Sequence, residues 1–68
     1  MNRWPQYAKV RFVNDRLESK GAPRGTVGYV VEVYEDAYEI EVSDASGCTI
    51  FLGSVPDVDL ELAESTRA

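Results

Sequence analysis

The chain has no histidine and one cysteine, Cys48. Without histidine, the commonest general base and metal ligand is missing. Cys48 has no imidazole to activate it as a nucleophile in any fold. One cysteine cannot close an internal disulfide, and without histidine it cannot build a zinc site. Cys48 therefore reads as a small buried or half-buried hydrophobe. Basic residues are also scarce: seven Lys and Arg stand against twelve Asp and Glu, a formal charge of −5. Phosphate contacts need clustered cations, so nucleic acid is an unfavoured partner. A cationic protein surface fits better, through steered association. Long apolar runs are missing too. No segment can span a bilayer, and the opening MNRWPQYAKV lacks the apolar stretch of a signal peptide. A cytoplasmic protein with no membrane partner is expected.

What is present is a small β-pattern. Sixty-eight residues make one domain, 1–68. A chain this short buries only about 60% of its unfolded surface, so it has no room for a cleft between domains. Residues 8–13, AKVRFV, read as a strand with Ala8, Val10 and Phe12 on one face. Residues 14–25 are charged and contain two glycines and a proline, a long loop held down by Leu17. A short helix there would be stopped by Gly21 and Pro23. Strands are expected over 26–34, 38–42, 48–52 and 59–63, with a 3₁₀ turn near Pro56 and a frayed tail over 63–68. Gly28 inside a strand marks a bulge, a bend or a close backbone approach. The fold class predicted is all-β: a small five-stranded barrel of SH3 type, core about 8–62, with a long first loop and a short 3₁₀ turn before the last strand.

A turn at Glu35-Asp36 sets Val33 opposite Tyr38. Tyr29, Val31 and Val33 then share the core face with Tyr38, Ile40 and Val42, since a one-residue slip would bury the glutamates. Gly28, Val30 and Glu32 share the outer face with Glu39 and Glu41. Glu32 falls opposite Glu39, a like-charge pair that costs a few tenths of a kcal/mol up to ~1 kcal/mol. A solvated face tuned for solubility is one reading; a surface awaiting a basic partner is the other. A three-residue loop, Ala45-Ser46-Gly47, pairs Asp44 with Cys48, Val42 with Ile50 and Ile40 with Leu52. Ile50 and Leu52 then join the core, while Thr49 and Phe51 turn outward beside Glu41 and Glu39. Phe51 among carboxylates suits an interface anchor; otherwise the bent strands, the first loop or the N-terminal RWPQY cover it. Trp4 either pins the terminus onto the barrel or serves as an exposed recognition residue.

Catalytic constellations are missing. The acids lie on open strands and turns, with nothing to desolvate a carboxylate pair. GAPRG fits neither phosphate-binding fingerprint. Asp57, Asp59 and Glu61 resemble part of an oxygen-ligand set for calcium but lack the loop pattern that would make one. No catalytic, cofactor or metal site is expected.

The stretch RGTVGYVVEVYEDAYEIEVSDASGCTIFL resembles a group of small bacterial domains of unknown function with an SH3-like barrel, which read approximately G-T-V-G-x-V-V-E-x-Y, Y-E-V-E-F and G-x-T-I. The matching positions are Gly25, Thr26, Val27, Gly28, Val30, Val31, Glu32 and Tyr34, then Tyr38 to Val42, then Gly47, Thr49 and Ile50. Asp59 and Leu60 match a closing D-L. Val42 replaces the usual aromatic and Phe51 a smaller residue, which suggests a local core swap and a partner-specific outer face. The resemblance implies no catalytic residues. Because such domains tend to lie beside toxin-like reading frames, it also implies an antitoxin or immunity role. A more distant likeness is to KOW-type barrels, through Gly25, Gly28 and Val30, where basic loops meet RNA; Lys9, Arg11, Lys20 and Arg24 would serve that role here. The function expected is a non-enzymatic acidic module that binds and neutralises a basic protein through Glu32, Tyr34, Glu35, Asp36, Glu39, Glu41 and Phe51. A docking subunit of a larger protein assembly, or a KOW-like nucleic-acid-binding barrel, is the alternative.

Overall fold

The turn at Glu35-Asp36 joins β2 (Val27–Val33) to β3 (Ala37–Ser43) in the computed structural model, which describes residues 4–63. Val33 lies opposite Tyr38 and Glu32 opposite Glu39, as the turn dictates. The Tyr34 N–H donates to the Ala37 carbonyl at 2.9 Å. One residue further the ladder shifts: Val30 faces Ile40 and Tyr29 faces Glu41, leaving Val31 as the extra residue of a β-bulge. An inserted residue reverses which side chains point inward. Gly28 and Val30, expected on the outer face, are buried, and Tyr29, expected in the core, is 48% exposed. Val31 is half-buried at the bulge, and Val33 is half-buried against the core.

The reason sits at Gly28. A Cβ there would lie 2.8 Å from Ile40 Cγ2, 2.9 Å from the Glu41 carbonyl oxygen and 3.0 Å from Val42 Cγ2. An inward position with so little space admits only glycine, which fixes the phase of the strand around it.

A second bulge follows the next turn. The loop forms as predicted: Gly47 takes φ +92°, and the Asp44 N–H donates to the Cys48 carbonyl at 2.9 Å. Asp44 Oδ1 accepts from the Ser46 hydroxyl and from the backbone N–H groups of Ser46 and Cys48. These bonds, the hydroxyl's foremost, hold the Asp44 carboxyl below its ordinary range. Ser43 pairs with Thr49, but Val42 pairs with Phe51 and Glu41 with Leu52, so Ile50 is bulged. Ile50 and Leu52, expected in the core, are 48% and 59% exposed. Phe51, expected outside, turns in and meets Phe12 edge-on, with ring centroids 6.0 Å apart. The strand also runs on, as β4 (Thr49–Pro56), past its expected end at Leu52. Pro56 is tolerated because β4 is an edge strand, where a missing N–H can face away from the ladder.

A 3₁₀ turn (Asp57–Asp59) leads into β5 (Leu60–Leu62), and β1 (Lys9–Phe12) lies between β2 and β5. The sheet order is β4-β3-β2-β1-β5, antiparallel throughout. Its curled inner face buries Val10, Phe12, Val30, Tyr38, Ile40, Val42, Val55 and Leu60. The fold is thus the expected small five-stranded, all-β, barrel-like one. The long first loop contains one 3₁₀ turn (Glu18–Lys20), ended by Gly21 at φ +95°. Leu17 and Ala22 bridge its neck, and Ala22 is fully buried.

Both ends of the described segment are fastened. The Trp4 ring stacks on Tyr38 at 5.2 Å, and its backbone N–H donates to the Tyr38 hydroxyl at 3.1 Å. Trp4 therefore pins the terminus. Asp59, 1% exposed, accepts from Asn14 Nδ2 at 2.8 Å, and Arg16 Nε lies 3.2 Å from both of its oxygens. A buried carboxylate needs such partners, and here they tie the first loop to the 3₁₀ turn that precedes β5. Ala63 is held too, its N–H donating to the Lys9 carbonyl. The rest of the expected frayed tail, 64–68, lies outside the described residues. No described helix is long and apolar enough to cross a membrane.

Gly28→Ala should lower unfolding free energy by about 1–3 kcal/mol, the range for overpacking a filled core. Urea denaturation measures it; a loss under a few tenths would mean that Gly28 does not set the strand's phase.

Candidate functional site

The bulges recompose the outer face of the sheet. Glu41 sits between two exposed apolar neighbours, Tyr29 on β2 and Leu52 on β4. One step along β3, Glu39 lies between Glu32 and Ser54. The carboxylates are oriented. The Tyr34 hydroxyl donates to Glu39 Oε1 at 3.2 Å, and Thr49 Oγ1 donates to Glu41 Oε2 at 2.9 Å. Glu35 and Asp36 are exposed at the hairpin tip beside Tyr34. Of the expected site residues, six therefore share one surface around this hairpin: Glu32, Tyr34, Glu35, Asp36, Glu39 and Glu41. Phe51 does not, because the bulge at Ile50 sends its ring to the core.

Sequence reasoning missed Tyr29 and Leu52 as surface residues. A signal existed in Gly28. A glycine with no space above it must point inward, which places Tyr29 outward in the same strand.

Tyr34 carries the electrical signature of the face. Its hydrogen bond to the Glu39 carboxylate, then partial desolvation, then the charges of Glu39 and Glu32 raise its phenol pKa above the ordinary 10.0. Deprotonation would put a phenolate against carboxylates. A phenol pKa raised by folding contributes stability that is complete below the unfolded value and is lost as pH rises through the folded one. The window therefore lies on the alkaline side of 10.0.

Beside Tyr29 the sheet opens into a shallow groove of about 410 Å³, lined also by Trp4, Pro5, Tyr7, Lys9 and Leu62. Tyr7 is 72% exposed and takes φ +74°, which side chains rarely adopt. Its N–H donates to Val30 O at 2.6 Å and Gln6 Nε2 to Val31 O at 2.9 Å, so the N-terminal arm clasps the carbonyls of the bulge. The groove continues the outer face at Tyr29 and adds no carboxylate to it.

Of the basic residues named for RNA contact, Lys20 stands apart on the first loop. Arg11 and Arg24 line one depression, but Glu61 lines it too and ion-pairs with Arg11. Lys20 lies on the 3₁₀ turn of the first loop and Lys9 on β1. Asp57, Asp59 and Glu61 do not converge: Asp59 is buried against Asn14 and Arg16, and Glu61 meets Arg11. Among the described residues no group of His, Cys, Asp and Glu could hold a metal ion. Cys48, expected to be at least half-buried, is exposed at the end of its loop.

Comparison with known families finds a match, over residues 7–62, to a domain of unknown function (DUF4926). The chain belongs to that family. The match runs from Tyr7, whose backbone clasps the bulge, to Leu62 at the end of β5, so DUF4926 takes in every strand described above. No curated protein and no solved structure matches the chain.

Two outcomes check this geometry. Absorbance titration of wild type against Tyr34→Phe should show a phenol ionising above the ordinary value, and Glu39→Gln should bring it down. A Tyr34 that titrates normally would remove the bond. Glu32→Gln should raise stability by a few tenths of a kcal/mol up to ~1 kcal/mol at low salt. That gain should shrink as salt screens the pair.

Proposed function

We propose that this chain is a non-enzymatic cytoplasmic module, an SH3-like barrel whose acidic outer face docks onto a basic protein and neutralises it, an antitoxin- or immunity-like role. One observation carries the reading: Glu32 and Glu39 oppose each other in the ladder, and Glu41 follows them between exposed Tyr29 and Leu52. The hairpin turn imposes the like-charge pair, and a cationic partner converts its repulsion into attraction. Carboxylates on this face stand in for a polyanionic substrate of the partner, with Tyr34, Glu35 and Asp36 extending the charge at the tip. Apolar contact comes from Tyr29 and Leu52 in the place first given to Phe51. Aromatic residues are favoured at such centres. The strand order and the 3₁₀ turn before β5 support the SH3-like description.

Partner capture from the native lysate tests this. Glu39→Lys and Tyr29→Ala should each abolish a capture that wild type shows, and raised salt should weaken it. Glu18→Lys, the same charge change on the first loop, should leave it intact. Equal capture by all variants would sink the proposed face. Retention of nucleic acid alone by wild type would overturn the class. A partner that never separates from wild type, even at high salt, would favour a docking subunit in a permanent assembly.

A further inference from the structure

The open backbone edge of β4 is the feature the acidic face leaves unused. It runs for eight residues, TIFLGSVP, without one charged side chain, in a chain that is 28% charged. Edge strands ordinarily carry charges or bulges that block pairing. Here the obstacles stand at the two ends only. At one end Ile50 is bulged, and a side chain on Gly21 would come within 3.4 Å of the Ile50 carbonyl, so the first loop lies over it. At the other end Pro56 has no N–H to offer.

The backbone of the intervening stretch can be oriented. Pro56 pairs with Ala37 in the β3–β4 ladder, so its N–H side must face away from β3. In an antiparallel ladder alternate residues share that orientation. Ser54 and Leu52, also paired in register with β3, therefore turn their N–H and C=O groups to the open side. Apart from the ladder with β3, residues 51–56 receive no backbone hydrogen bond from another described element.

We infer that β4 pairs antiparallel with β4 of a second copy of this chain, centred on Gly53. In that register Leu52 exchanges both backbone hydrogen bonds with Ser54 of the second copy, and the reverse exchange follows by symmetry. The outer-face Leu52 side chains become diagonal neighbours across the seam, within reach of each other. Charge selects this occupant over a foreign strand of either sign, because the edge has no charge with which to recognise one. It also permits the pairing despite the net charge of −5. The nearest facing carboxylates are on the two β3 strands, three strand spacings or about 14 Å apart. That exceeds the physiological screening length of about 8 Å. Topology closes the assembly as a dimer. The opposite edge, β5, has three residues and carries Glu61, so head-to-tail growth has a poor acceptor.

Sedimentation across a micromolar-to-millimolar concentration series, with amide hydrogen exchange, tests the pairing. Wild type should move from monomer to dimer and stop there, with the Leu52 and Ser54 amides gaining protection in the dimer alone. Leu52→Lys should raise the dissociation constant at least about tenfold, and its circular dichroism should match wild type. Should that variant misfold, the exchange pattern of wild type decides alone. A wild type that stays monomeric, a dimer whose Leu52 and Ser54 amides exchange freely, or growth past dimer would each overturn the inference.

Discussion

The missing side chain at Gly28 governs this molecule. Ile40 and Val42 fill the space above it so closely that even a methyl group would strike Ile40 and the Glu41 carbonyl. An inward glycine puts Val30 in the core and Tyr29 outside. The turn at Glu35-Asp36 independently requires Val33 to face Tyr38. Those two demands differ by one residue, and the bulge at Val31 reconciles them. The carbonyls it releases are taken up by Gln6 and Tyr7. The N-terminal arm, the groove and the outer face all descend from that single phase change.

The parts of this fold visible in the sequence are those set by local chemistry. The hairpin tip, the Asp44-to-Cys48 loop with its left-handed Gly47, the stop at Gly21 and the Glu32–Glu39 opposition each depend on a few adjacent residues. The bulges were hidden for a physical reason. TVGYVVEV and TIFL carry apolar residues at both parities, so either phase buries hydrophobes and alternation cannot choose. The choice rests on volume, at Gly28 beneath Ile40 and at Gly53, where a Cβ would lie 3.2 Å from the Phe51 ring. Among the candidate site residues, those fixed by the β2–β3 turn stayed on the surface. Phe51, which depended on counting through an unseen bulge, did not.

The outer face is ordered before anything binds it. Tyr34 and Thr49 hold the Glu39 and Glu41 carboxylates by hydrogen bonds across the sheet. A partner would meet fixed charges and lose less side-chain entropy on association. The cost of keeping acids together falls on folding, where a small core has little to spare. Pairing through a neutral edge would place two such faces in one continuous sheet while keeping their charges apart.

The latch at Asp59 also orders the events of folding. The ladders from β2 to β4 join neighbours in the chain, whereas Asn14 must wait for a carboxylate 45 positions away. Contacts of long separation form late because their loop-closure entropy must be met first. The acidic hairpins can therefore assemble while the first loop is still unsecured. The carboxylate of residue 59 is the final clasp.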